Sequence, residues 1–133
     1  RAELTVSATV ILGLGGRRDW RAHVEATAAL VNRAPPVYLS TLQLGLEDIV
    51  ADRFLERFGP GFEGQDDAGV LEELRLLVER LDPPSPVIFR SNHASNALAL
   101  AGTLPRDRDR LLAEIDAARA GRAGLRPWWL RGL

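Results

Sequence analysis

The chain has no cysteine, no lysine and no methionine among its 133 residues. Without cysteine it can form neither a disulfide nor a thiolate metal site of its own. Without lysine all 17 basic side chains are arginine, which reads as coding bias rather than mechanism. Only two histidines are present, and no His/Asp/Glu spacing resembles a metal site, so no metal ligands are expected. Long apolar runs are also missing. The longest near the start, Val10–Leu14, is too short for a signal core or a membrane span. Charge of one sign is absent too: the net charge is −1, so no overall field draws the chain toward nucleic acid or an anionic lipid surface. The expectation is a cytoplasmic protein with neither nucleic acid nor membrane as partner. With Arg1 at its head and no Met anywhere, the chain reads as a piece of a longer polypeptide.

What is present is an ordinary globular composition, 46% hydrophobic and 26% charged, in a length that suits a single domain over residues 1–133. Thr5–Leu14 is rich in β-branched residues and closes on Gly13, Gly15 and Gly16, as a strand ending in a glycine turn does. Asp19 offers an N-cap for a helix over Trp20–Asn32, with Trp20, Val24, Thr27, Ala28 and Val31 as its stripe. Val37–Leu44 reads as a second strand behind Pro36, and Leu46–Phe58 as a short helix. Asp66 or Asp67 caps the clearest helix, Ala68–Leu81. Val70, Leu74, Leu77, Val78 and Leu81 form its apolar stripe, while Glu72, Glu73, Arg75, Glu79 and Arg80 are expected on a solvated face. A third strand spans Val87–Arg90. A last helix runs from near Arg106 to about Ala120, with Asp107 and Asp109 in its first turn and Gly121 at its C′ position.

Strands alternating with helices predict an α/β fold of about three parallel strands and four helices, with all three strand C-termini on one edge. That edge is where parallel α/β folds gather ligands. It would collect Gly13–Gly16, Gln43 and the polar run Arg90, Ser91, Asn92, His93, Ser95 and Asn96. Each has a plain alternative. The glycines can simply turn the chain, and they form neither Gly-x-Gly-x-x-Gly nor a Walker loop. Arg90 can clamp an anion or pair with a neighbouring carboxylate. His93 can exchange a proton or hydrogen-bond within its loop. His23, on the first helix, is read as structural. Trp128 and Trp129 are expected to dock onto the domain as a tail. No serine sits in a nucleophile elbow.

The segments "TVILGLGG", "FRSNHASN", "GTLPRD" and "LLAEIDAA" together resemble the C-terminal half of radical SAM proteins, in an uncharacterised bacterial subgroup. The resemblance covers about Thr5 to Ala118, with Glu47–Gly69 matching poorly. It implies a partial (β/α) barrel that binds S-adenosylmethionine beside a [4Fe–4S] cluster, whose electron cleaves the cofactor to methionine and a hydrogen-abstracting deoxyadenosyl radical. It implies Ile11, Leu12, Gly13 and Leu14 at the adenosine, with Gly15, Gly16 and Gln43 nearby. Arg90, Ser91, Asn92, His93 and Asn96 would line the cofactor or substrate rim. No catalytic role for His93 follows from the likeness. A cluster needs three thiolates and this chain has none, so it should be inactive alone, with the N-terminal barrel half as its missing partner. Two other readings stand beside this one: a nucleoside-binding module without the chemistry, and an interaction domain using the Trp128–Trp129 tail.

Overall fold

The computed structural model of the protein describes residues 3–132. Its elements run β1 (Ser7–Leu12), α1 (Gly16–Arg33), β2 (Tyr38–Gln43), α2 (Asp48–Phe58), α3 (Asp67–Arg80), β3 (Val87–Ser91), β4 (Leu100–Leu104) and α4 (Arg108–Arg119), then a short 3-10 turn over Trp128–Leu130. The sheet order is β1-β2-β3-β4. The first three strands pair in parallel, and β4 runs antiparallel to β3. The α/β class, the three parallel strands and the four helices match the reading of the sequence. The fourth strand does not. "LAGTL" carries only Leu100 and Leu104 as apolar anchors, with Gly102 between them, so it shows almost no alternation to read. Because β4 returns along β3, Asn92–Ala99 forms a hairpin connection, and Ser91 sits opposite Leu100 at its base.

Side chains alternate across each strand, and one parity is the more buried, with Ala8, Val10, Gln43 and Gly102 half-buried within it. Leu12, Leu39, Val87, Phe89, Leu100 and Leu104 enter a single core with Val24, Ala28 and Val31 of α1, Leu74, Leu77 and Val78 of α3, and Leu111 and Ile115 of α4. Helices α1, α3 and α4 form one layer, with α3 between the other two. Its central place explains a correction. Glu73, expected on the solvated face, is 0% exposed. A helix with neighbours on both flanks buries a wider arc than one stripe, and Leu71 and Leu76 go under with it.

The helix caps are partly tertiary. Asp66 accepts from the Gly69 N–H at 2.8 Å, as a side-chain N-cap should. Asp19 is no cap, because α1 starts three residues earlier, at Gly16. Gly16 N–H closes the glycine turn onto Gly13 O (3.0 Å), and the Glu63 carbonyl accepts from Arg17 N–H (2.9 Å). A backbone oxygen from a distant loop thus satisfies a donor that a capping side chain would otherwise take. At the far end of the chain, Gly121 holds φ +72°. Gly121 N–H to Ala118 O and Arg122 N–H to Ala117 O close α4 with the paired bonds of a Schellman motif.

Among the described residues no helix covers the second sheet face. Ser7, Thr9 and Ile11 of β1, Tyr38, Ser40 and Leu42 of β2, Ile88 and Arg90 of β3 and Ala101 and Thr103 of β4 share this parity, and each is exposed or half-buried. Helix α2 buries none of its side chains. Its Phe54 and Phe58 instead cluster with Phe62, ring centroids about 5 to 6 Å apart. Strand β1 has no partner on its outer side among the described residues.

Candidate ligand rim at the strand ends

Parallel pairing puts the ends of β1, β2 and β3 on one edge, and three groups of the expected site meet there. Beyond Leu12, which lies in the core, Gly13 turns at φ +87° and its N–H donates to Glu73 Oε2 at 2.9 Å. Glu73 Oε1 accepts from the Gln65 amide, also at 2.9 Å. Gly15 and Gly16 are buried, and a Cβ on Gly16 would meet the Glu63 carbonyl at 2.6 Å and the Phe62 ring at 3.0 Å. Main chain and aromatic ring therefore already occupy the close approach that this glycine allows. Of the β1 set, Ile11 and Leu14 keep exposed side chains.

The polar run after β3 divides by direction. Ser91, Ser95 and Asn96 turn inward. Asn96 Oδ1 accepts from Gln43 N–H at 2.8 Å, while its amide donates to Thr41 O at 2.9 Å and Ser91 Oγ at 3.2 Å. This one side chain takes over the β2–β3 hydrogen bonding where the strands part. Thr41 and Ser91 hydroxyls lie 2.6 Å apart beneath it. Burying so many polar groups is tolerable only because they satisfy one another. Gln43 joins the network through two long contacts of 3.4 Å, its amide to Asp67 Oδ1 and its Oε1 from Ala97 N–H.

Arg90, Asn92 and His93 turn the other way. They border a concavity of about 310 Å³ on the helix-free face, together with Thr9, Ser40 and Leu42. Arg90 makes no ion pair among the described residues; its Nη1 donates to its neighbour's carbonyl, Phe89 O, at 3.0 Å. His93 Nδ1 accepts from Ser95 N–H at 3.2 Å and lies 2.8 Å from Ser95 Oγ. A backbone donor at Nδ1 leaves the proton of the neutral ring on Nε2. So a guanidinium, an amide and an imidazole N–H share one shallow basin with apolar Leu42. That set can bind a carboxylate or phosphate attached to a partly apolar body.

Searches of protein-family models, curated proteins and solved structures found no match to this chain.

The tail closes the rim through arginines rather than through its aromatic rings. Trp128 and Trp129 do not dock; they are 75% and 67% exposed. Arginines dock instead. Arg126 donates to the carbonyls of Ala94 (2.7 Å) and His93 (3.2 Å). Arg131 grips Asp67 with two bonds of 2.8 Å. That bidentate hydrogen bonding holds the Asp67 carboxyl below its ordinary range. The signal for this strap was faint, since Asp67 and Arg131 stand 64 positions apart. His23 Nδ1, in α1, is shielded from water and has no hydrogen-bond partner among the described residues.

Proposed function

We propose that the helix-free sheet face is the inner wall of a partial (β/α) barrel, forming the cofactor- and substrate-lining part of a radical SAM enzyme that is inactive by itself. The observation that carries this reading is the one-sided helix layer. Parallel sheets ordinarily bury both faces. In a barrel the helices lie outside, and the opposite strand face lines the interior, with ligands at the strand C-termini. Here the uncovered face mixes Thr9, Ser40 and Arg90 with Ile11 and Leu42. Its basin runs from Thr9 and Ser40 in mid-strand to Arg90, Asn92 and His93 at the C-terminal end of β3.

The donor set suits S-adenosylmethionine. Arg90 would take the carboxylate of its amino-acid part, Asn92 and His93 would take polar atoms, and Ile11, Leu14 and Leu42 would face the adenosine. Leu12, Gly15 and Gly16 would act from beneath by fixing the backbone. When bound with a reductant, the cofactor supplies hydrogen-abstraction chemistry. The residues do not fit the cluster that would reduce it. The chain has no cysteine, and among the described residues no group of three or more His, Asp or Glu side chains can hold a metal. In this reading the thiolates belong to another segment or chain.

The test is a titration of the chain with S-adenosylhomocysteine, followed by calorimetry and amide resonance shifts. Binding should move the resonances of Thr9, Ser40 and Asn92, and Arg90→Ala should weaken it more for S-adenosylhomocysteine than for adenosine. Absence of binding at millimolar ligand, or shifts confined to the helix layer, overturns the reading. Equal losses for both ligands in Arg90→Ala would remove the assigned clamp. The lack of cysteine equally favours a second reading, a nucleoside-binding module. Adenosine binding as tight as that of S-adenosylhomocysteine would select it.

A further inference from the structure

The tail after α4 presents a packing problem. Two indoles stand in water, yet the backbone under them is firmly anchored. Arg126 N–H donates to Ala97 O at 2.8 Å. The guanidinium of Arg126 holds the carbonyls of the β3–β4 hairpin, and Arg131 donates to Arg126 O at 2.8 Å while gripping Asp67. A loose tail needs no such anchors, and a tail serving the core would bury its rings. This one fixes Trp128 and Trp129 edge to face, with ring centroids 5.9 Å apart and planes at 86°.

Between these rings and the exit of β2 lies a recess of about 420 Å³, a size that admits a ligand of two or three fused rings. Leu44, Gly45 and Arg131 also line it, and Gln43 and Ser95 are its uncharged polar members. Gln43 makes one long contact of 3.4 Å at each end of its amide, which leaves its second N–H and its second carbonyl lone pair for a further partner. The charge pattern narrows the ligand further. Arg131 is compensated by Asp67 and so does not call for an anion, while Arg126 spends its donors on carbonyls and keeps a positive charge that disfavours a cation. A sugar would need more hydrogen-bonding side chains than this recess offers.

From this arrangement we infer that the strapped Trp128–Trp129 tail is the wall of a binding site for an uncharged, flat heteroaromatic ring. Indole faces stack such rings, and Gln43 reads one edge of them. The inference goes beyond the reading of the sheet face and does not depend on it, because the recess lies on the tail side of the hairpin.

The probe is lumichrome, a neutral fused heterocycle, added to the whole chain and followed by quenching of tryptophan emission and by calorimetry. Lumichrome should bind, and cyclohexane-1,2-diol, a saturated ring, should not. Trp128→Ala and Trp129→Ala should each weaken lumichrome by about ten-fold; both side chains are exposed, so neither change threatens the fold. Arg131→Gln keeps both indoles but frees the strap. It should also weaken binding and speed amide exchange at Arg126. Unchanged affinity in both tryptophan variants, or no binding up to the solubility of the probe, overturns the inference. So does a tail that leaves lumichrome alone and instead drives co-sedimentation with lipid vesicles.

Discussion

Replacing Glu73 tests the architecture of the rim at its most sensitive point. The carboxylate is wholly buried and accepts from Gly13 N–H and the Gln65 amide, with no cation beside it among those contacts. Glu73→Ala removes both acceptors. The Gln65 amide is only part-buried and can turn to water, but Gly13 N–H is left in the interior without a partner. An orphaned buried donor costs about 1–3 kcal/mol, and a hydrogen bond to a charged acceptor is worth about 1.5–3 kcal/mol. These two figures describe the same lost bond, so the expected loss for Glu73→Ala is about 1–3 kcal/mol. Glu73→Gln keeps an oxygen for Gly13, and Gln65 can rotate its own amide to accept from the new NH₂. All polar atoms stay paired, and the loss should be below about 1 kcal/mol. Urea denaturation followed by tryptophan emission separates these cases. With a slope of about 1–3 kcal/mol per molar urea, the alanine variant should melt at clearly lower urea, and the Gly13 amide should exchange faster. If alanine and glutamine variants unfold within about 0.5 kcal/mol of each other, the carboxylate is solvated and the reasoning fails.

Three further outcomes follow. Gly16→Ala combines a φ of +60° with a Cβ placed 2.6 Å from the Glu63 carbonyl. It should cost about 2–4 kcal/mol, whereas Gly124→Ala, with nothing within 4 Å, should stay within about 0.5 kcal/mol in the same denaturation assay. Leu77→Ala, at a fully buried site, should cost about 2–5 kcal/mol, while Ile49→Ala, at 89% exposure, should be silent by calorimetry. The strap should also respond to acid. The Asp67 carboxyl is lowered by its bonds to Arg131, so its contribution is fully present above the ordinary aspartate value of about 3.9. It is lost as pH falls through the depressed value. Amide exchange at Arg126, normalised for intrinsic pH dependence, should hold steady down to about pH 4 and then rise, and Asp67→Asn should abolish that step.

The elements with strong periodicity were legible in the sequence. Val70, Leu74, Leu77, Val78 and Leu81 announce α3, and the alternation of strands and helices gave the three parallel strands and the edge where their ends meet. What was illegible depended on neighbours distant in sequence. Nothing local to Glu73 says that a glycine amide 60 positions away will claim it. The start of α1 departs from its expected place for the same reason, since Glu63 caps it through its backbone. In sequence the polar run forms one rim, whereas strand parity divides it: Arg90 and Asn92 share one face, and Ser91 lies on the other. That division was available from the two-residue period of a strand. The inward turn of Asn96 was not, because it follows from the parting of β2 and β3.

Strand β1 leaves one flank of its ladder unclaimed, and between Ser7 and Leu12 it has no charge and no proline. Natural sheets usually blunt such a flank with a lysine, a bulge or a covering loop. Here the outer amides and carbonyls form a template that any extended peptide can extend, including β1 of another molecule. Concentrated solutions of the chain should therefore self-associate through this strand, and a lysine at Thr9, on the helix-free face, should act as a gatekeeper that restores solubility without touching the core.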